Sequence, residues 1–282
     1  MTVVVVGDAG LDVVARHAGP IAYGSDTPAA VSVTMGGAGA NTAAWLAWCG
    51  SDVLLATRVG DDPAGPQVVT ALADAGVRTA ATVDRDRATC CVVVLVDGGA
   101  ERTMLADRGA CAALSASEVP LDGAQHLHLS GYVLLDPRSR EAGVEVLAAA
   151  RAAGLTTSVD PQAAAMIDSP GQFLEWVRSV DLVLPNSDEF AALPGLSDHV
   201  RAVAVTDGPR PVRWLESGRE VSVPVPAVEC VDPTGAGDAF NAGLLTAWLA
   251  GAPPEDALHA GAVAGSTAVG HVGARPRGVS RR

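Results

Sequence analysis

The stretch Val231-Asp232-Pro233-Thr234-Gly235-Ala236-Gly237-Asp238-Ala239-Phe240 carries the sharpest chemical signal in the chain. A proline and two glycines run directly into Asn241 to Leu249, a segment of helical character. A glycine-rich turn entering a helix leaves several N–H groups without intrahelical partners, all pointing one way. Together with the helix dipole they form an anion site that needs no lysine. Asp238 is the odd member. A carboxylate is repelled by a phosphate, yet it is well placed to take a proton from an attacking hydroxyl. Positioning, charge stabilisation and a base are what phosphoryl transfer requires, and this stretch holds parts of all three. On its own, the same pattern also reads as an aspartate stabilising a helix N-terminus by roughly 0.3–1 kcal/mol.

The rest of the chain makes an anion site built from backbone the more telling. Its 282 residues carry a net charge of −13, and every basic side chain apart from histidine is an arginine. An acidic surface repels nucleic acid and anionic lipid, so neither is expected as a partner. Any anionic ligand has to be met by a local device. Hydrophobic residues make up 49% and charged residues 18%, which fits a globular chain with a full core and excludes a disordered one. Aromatics are only 4%, so small aliphatic side chains and close backbone approach have to fill that core. Cys49, Cys90, Cys91, Cys111 and Cys230 form no CxxC pair and read as small hydrophobes rather than metal ligands or disulfides. The opening MTVVVVGD is a strand rather than a signal peptide, and no apolar stretch reads as a membrane span, so a cytoplasmic location is expected.

Outward from the central motif, strands and helices alternate. Val3–Val6, Val53–Thr57, His126–Leu129, Thr156–Val159, Leu182–Leu184 and Ala202–Thr206 read as short buried strands. Helices are expected over 42–49, 66–75 and 138–153, each closed by a glycine. This alternation predicts a mostly parallel sheet covered on both faces. Two stretches, 13–34 and 88–105, look like strands without helices and are expected to form a small projecting sheet on a single domain spanning 1–282.

DPTGAGDAF at 232–240 resembles the C-terminal signature of the ribokinase/PfkB carbohydrate kinases, and GGAGANTA at 36–43 resembles their N-terminal one. VVGDAGLD at 5–12, RVGDDPAG at 58–65, ERTMLADRGA at 101–110, HLHLSGY at 126–132, VDP at 159–161 and LPNSDEFAAL at 184–193 follow in the family's order. The resemblance implies a ribokinase-like three-layer α/β sandwich in which 13–34 and 88–105 form a β lid that often mediates dimerisation. It implies ATP-dependent transfer of a phosphoryl group to a hydroxyl of a small sugar-like acceptor. Asp238 would be the general base, and the amides of Gly235, Ala236 and Gly237 the anion hole. Asp12, Gly36, Gly37 and Asn41 would hold the acceptor, with Asn186, Thr206 and Gly208 on the nucleotide side. Glu189 would serve Mg²⁺ through water. Asp232, Thr234, Ala268 and Gly273 would surround a monovalent cation such as K⁺.

Three features depart from the family pattern. Gly10 stands where ribokinases usually carry asparagine. Pro211 replaces the last glycine of the nucleotide-side motif Thr206-Asp207-Gly208-Pro209-Arg210-Pro211 and removes an N–H donor. The stretch 189–206 is short for a helix plus a strand. Two alternatives therefore stand beside the sugar kinase: a nucleoside kinase, and a sugar- or nucleoside-binding protein with little turnover. The sequence argues against a Rossmann dehydrogenase, because no GxGxxG follows the first strand. Arg16, Arg102 and Arg108 are the basic candidates for meeting a phosphorylated acceptor.

Overall fold

The computed structural model describes residues 2–99 and 101–277. In chain order the strands are β1 (Thr2–Val6), β2 (Gly10–Arg16), β3 (Ala30–Gly36), β4 (Asp52–Gly60), β5 (Arg78–Asp84), β6 (Cys90–Val96) and β7 (Arg102–Asp107). They continue as β8 (Ala124–Ser130), β9 (Thr156–Asp160), β10 (Leu182–Val183), β11 (Ala202–Asp207), β12 (Arg210–Glu216) and β13 (Arg219–Val223). The helices are α1 (Ala38–Trp48), α2 (Ala64–Asp74), α3 (Tyr132–Leu135), α4 (Arg140–Ala152), α5 (Pro170–Trp176), α6 (Ser187–Ala192), α7 (Ala236–Leu249) and α8 (Pro254–Val269).

Nine strands form the main sheet in the order β13-β12-β11-β10-β9-β8-β1-β4-β5. The run from β5 to β11 is parallel, and β12 and β13 are added antiparallel at one edge. Side chains alternate across a strand, and β1 shows the result. Val3 and Val5 enter one core with Trp45, Leu72, Phe240 and Leu258, which come from α1, α2, α7 and α8. Val4 and Val6 enter the opposite core with Leu147 of α4 and Phe173 of α5. Both faces are thus covered, which gives the three layers of a ribokinase-like α/β fold.

The strands expected from sequence all form, with β10 one residue shorter than its expected span. Three further strands, β5, β12 and β13, were not expected. The prolines at 209 and 211 hide β12. Pro209 sits in the turn of a β11–β12 hairpin, where Gly208 takes φ 57°, and Pro211 lies on β12 near that turn. Four strands make a second sheet, in the order β3-β2-β6-β7. β2 continues within four residues from the end of β1, so this sheet grows directly out of the mouth of the main one. Val31, Val33 and Leu105 stand exposed on it.

Candidate active site

α7 starts where the sequence stops helical geometry from running backwards. Gly235, its N-cap, has φ 78°, in the left-handed region that suits glycine. A Cβ at Gly235 would also lie 2.3 Å from the Ala274 carbonyl oxygen. The Ala236 amide donates to the Pro233 carbonyl at 3.2 Å, and the first bond that closes α7 is Ala239 N–H to Gly235 at 2.9 Å. The amides of Gly237 and Asp238 therefore begin the helix without an intrahelical acceptor. They open on a cleft of about 180 Å³ lined by Asp160, Asn186, Glu189, Thr206, Asp238 and Asn241, among others. Its walls come from the carboxyl ends of β9 and β11 and the start of α6, where ligands bind in open α/β sheets.

Asp238 is half-buried at the floor of this cleft. Its Oδ1 accepts from the Thr42 hydroxyl at 2.9 Å, and the Asn41 side chain donates toward it. Burial, and then the Asp160 carboxylate, push its pKa up to about 7, while Thr42, Asn41 and Arg275 pull it back. A carboxyl poised near neutrality suits a general base at cellular pH. Asp160 ends β9. One of its oxygens accepts from the Asn241 amide at 2.7 Å, the other from the Gln162 backbone N–H at 2.9 Å, and burial raises its pKa to about 6. Gln162, also on the cleft wall, has φ 70°, an uncommon conformation for a residue other than glycine.

Asn186 and Glu189 form a capping box at the start of α6. The Asn186 side-chain Oδ1 accepts from the Asp188 and Glu189 amides, both at 2.9 Å. In return, Asn186 donates from its backbone and its side chain to the two Glu189 oxygens. Asn186 is thus a helix cap and a cleft residue together. Burial, followed by Asp160, pushes Glu189 up to about 9. The result is three carboxylates on one cleft, with no arginine among its lining residues.

None of the expected acceptor residues is on this cleft wall, and of the four Asn41 approaches Asp238. Asp12 sits directly over Gly36, where a Cβ would come within 2.1 Å of its carboxylate. Gly37 is the N-cap of α1 with φ 92°. Asn41 lies inside α1, so it is not a cap. Gly10 explains its own departure from the ribokinase pattern: a Cβ there would stand 2.1 Å from the Cys90 carbonyl oxygen, so this backbone admits no side chain.

The other expected positions divide. Thr206 lines the cleft, whereas Gly208 sits in the hairpin turn and is not among the lining residues. Asp232, Thr234 and Gly273 do come together. Asp232 accepts from the Thr234 amide at 3.0 Å and from the Gly273 amide at 3.1 Å, and Arg102 stands 3.6 Å away. Ala268 is buried on α8. Arg108 proves unsuited to meeting an acceptor. It is buried, paired with Asp8 at 2.7 Å and Asp136 at 3.0 Å, and bonded to Ser139.

Sequence reasoning missed Thr42, Asp160 and Arg275. Asp160 lies in the quoted VDP motif, where an aspartate ending a buried strand was the available signal. Arg275 donates from Nε to Asn41 Oδ1 at 3.1 Å and from Nη2 to the Gly36 carbonyl at 3.0 Å, across more than 230 positions of sequence. No local pattern marks it.

The family model for pfkB carbohydrate kinases matches residues 1–280. An ATP-dependent ribose-1-phosphate kinase from Halopiger xanaduensis is 30% identical over 253 residues, 85% of this chain and 82% of that protein. A fructokinase-2 from Zea mays is 30% identical over 74% of this chain and 70% of its own length. Among solved structures, adenosine kinase from Sinorhizobium meliloti superposes with a TM-score of 0.88 at 25% identity, covering 98% of this chain and 96% of that one. Fructokinase from Xylella fastidiosa, solved with bound ATP, gives 0.86 at 24% identity, covering 97% and 93%. The chain belongs to the pfkB family of carbohydrate kinases, phosphotransferases that take an alcohol group as acceptor.

Proposed function

We propose that this protein transfers the γ-phosphoryl group of ATP to a hydroxyl of a small sugar-like acceptor, with Asp238 as general base. The observation that carries the reading is the junction at the start of α7. There the Gly237 and Asp238 amides face a cleft, and the Asp238 carboxylate is held on its other side by Thr42, beside Asn41. The amides receive negative charge developing on the transferred group, and Asp238 removes the proton of the attacking hydroxyl. Base assistance is typically worth ~10²–10⁴-fold, and a single oxyanion-type donor about 10²–10³-fold. Asp12 and Asn41 orient the acceptor hydroxyls, and Gly36-Gly37 lets the acceptor approach the backbone. Asn186 and Thr206 line the nucleotide side.

The carboxylate pair Asp160 and Glu189 fits Mg²⁺, a hard cation that favours oxygen ligands and keeps several waters. Each Glu189 oxygen accepts one bond from Asn186 and retains a further lone pair. Bound there, the metal would screen the nucleotide phosphates from the three carboxylates. For a monovalent cation near Asp232 and Thr234, Asp232 Oδ1 is already taken by Thr234 and faces Arg102, whereas Oδ2 accepts one bond, from the Gly273 amide. The reading also places the protein in the cytosol, with the second sheet acting as lid over the acceptor and pairing two copies through Val31, Val33 and Leu105.

ADP release from Mg-ATP, measured against D-ribose, D-fructose, ribose 1-phosphate, a 2-keto-3-deoxy sugar acid and adenosine, tests the proposal. Asp238→Asn serves as the blank. Acceptor-dependent release lost in the variant supports the reading and names the substrate class. Equal release by both proteins refutes the base, and silence with intact ATP binding refutes this acceptor class.

A further inference from the structure

Arg275 is built into the acceptor side of the site from a segment remote from every motif. The segment is clamped twice. The Ala274 carbonyl accepts from Trp45 Nε1 at 2.9 Å, and the same residue packs against the Cα of Gly235 so closely that no side chain fits between them. The Arg275 guanidinium is thereby aimed at α1 and β3. Its Nε bond to Asn41 Oδ1 has a consequence for the amide. With the oxygen turned to Arg275, the Asn41 NH₂ is left on the side of Asp238, where it can only donate. Its Nη2 bond to the Gly36 carbonyl fixes the backbone directly beneath Asp12.

Among the described residues, the groups that face Asp238 are otherwise neutral or acidic. Asn41 and Thr42 come from α1, Asp160 from the end of β9 and Tyr132 from α3. Asp12 of β2 acts on Arg275, as Asp238 does, and Glu189 of α6 interacts with Asp160. Arg275 is the cation in this set, close enough to favour the charged form of both Asp12 and Asp238.

We propose that Arg275 is a positioning residue for the phosphoryl transfer, locking the Asn41 amide with its NH₂ toward Asp238 and supplying the positive charge that keeps that carboxylate ionised. This rests on the reading of Asp238 as the base. An arginine serves both ends because its planar fork donates in two directions while staying charged. A lysine would supply the charge alone.

The test compares wild type, Arg275→Gln and Arg275→Lys by carboxyl NMR titration of ¹³C-aspartate-labelled protein without substrate. Asp238→Asn assigns the signal. Removing a neighbouring arginine is expected to move the Asp238 titration upward by about one pH unit in Arg275→Gln, with Arg275→Lys staying near wild type. With the acceptor that gives turnover, both variants are expected to raise acceptor KM several-fold and leave the KM for ATP unchanged. Asn41→Ala is expected to mask that KM effect in the double variant. An Asp238 titration unmoved in Arg275→Gln overturns the proposal, as does an additive KM effect in the double variant. Loss of fold alone would not shift one titration and spare the ATP KM. If Asp238→Asn keeps full turnover, the catalytic reading fails separately, whatever the titration shows.

Discussion

Asp238→Asn is expected to make the ligand-free protein more stable while stopping its chemistry. In the folded chain the Asp238 pKa rises from 3.8 to about 7, because burial and Asp160 disfavour its charge. Each unit of difference between folded and unfolded chain is worth about 1.36 kcal/mol, so about three units give an upper figure near 4 kcal/mol. The carboxylate faces an open cleft and loses favourable contacts with Thr42, Asn41 and Arg275 when replaced, so about 2 kcal/mol is the expected gain. The sign follows from the direction of the shift. Below the unfolded pKa both states hold the proton and wild type pays nothing. Between there and pH 7 only the unfolded chain ionises freely, so the wild-type penalty grows, and above pH 7 it is constant. The stability advantage of the variant should therefore be absent near pH 4 and full at pH 8. For a chain of this size about 2 kcal/mol corresponds to roughly 4–8 °C in Tm. Paired thermal unfolding of both proteins at pH 5, 6, 7 and 8 reads it, alongside a turnover loss of at least ~10²-fold. A variant no more stable than wild type at pH 8 would show that Asp238 is not held against its charge, and the case for a base tuned to neutrality would go with it.

Asp160→Asn removes the acidic neighbour of Asp238, so the acid limb of kcat/KM should move to lower pH; an unmoved limb would mean the two carboxylates do not interact. Gly235→Ala forces a side chain into a left-handed turn and against the Ala274 carbonyl, with an expected cost of about 1–3 kcal/mol and a larger loss of activity, checked by urea unfolding and turnover. Arg108→Leu leaves Asp8 buried without its cation and Asp136 with Arg138 alone, and should cost about 3–5 kcal/mol; wild-type stability would show that the Asp8 pair is not dry. Ser158→Ala strips the buried His126 and His128 rings of the hydroxyl that bonds both, for an expected loss of about 1–3 kcal/mol in chemical denaturation at pH 8. Both rings are held neutral by burial, with pKa values lowered to about 3 and about 4, so pH 8 isolates the lost bonds from any charging.

What could be read from sequence was local. The Gly235–Asp238 loop announces itself because its turn, its helix start and its carboxylate are neighbours in the chain. Asn186 and Glu189 announce themselves through the three-residue spacing of a capping box. The central strands were legible because burial on both faces leaves continuous apolar runs. β5 was not, since Arg78–Asp84 is only partly covered and mixes small polar and apolar residues. α8 was not read either, its Ala- and Gly-rich face having little periodicity, although it packs along α7. Arg275 was illegible for a different reason, and Asp160 carried only the signal of an aspartate ending a buried strand. Each is brought into the site by the fold: beside Asn241 and Asp238 for Asp160, beside Asn41 and Gly36 for Arg275.

That division bears on how so acidic a chain handles ATP. Among the described residues, the cation beside Asp238 is Arg275, which is bonded to Asn41 and Gly36, and the cleft at the start of α7 includes carboxylates, amides and a hydroxyl-bearing side chain in its lining. Such a cleft repels the free polyanion. It favours a nucleotide whose charge is already reduced by a divalent ion, which would in turn relieve the crowding of Asp160, Glu189 and Asp238. The lysine that many phosphate sites use is replaced here by helix-start amides, which supply partial positive charge without a side chain to desolvate. On the proposed reading the arrangement leaves arginine for the one task that amides cannot do, which is to place a full positive charge beside Asp238.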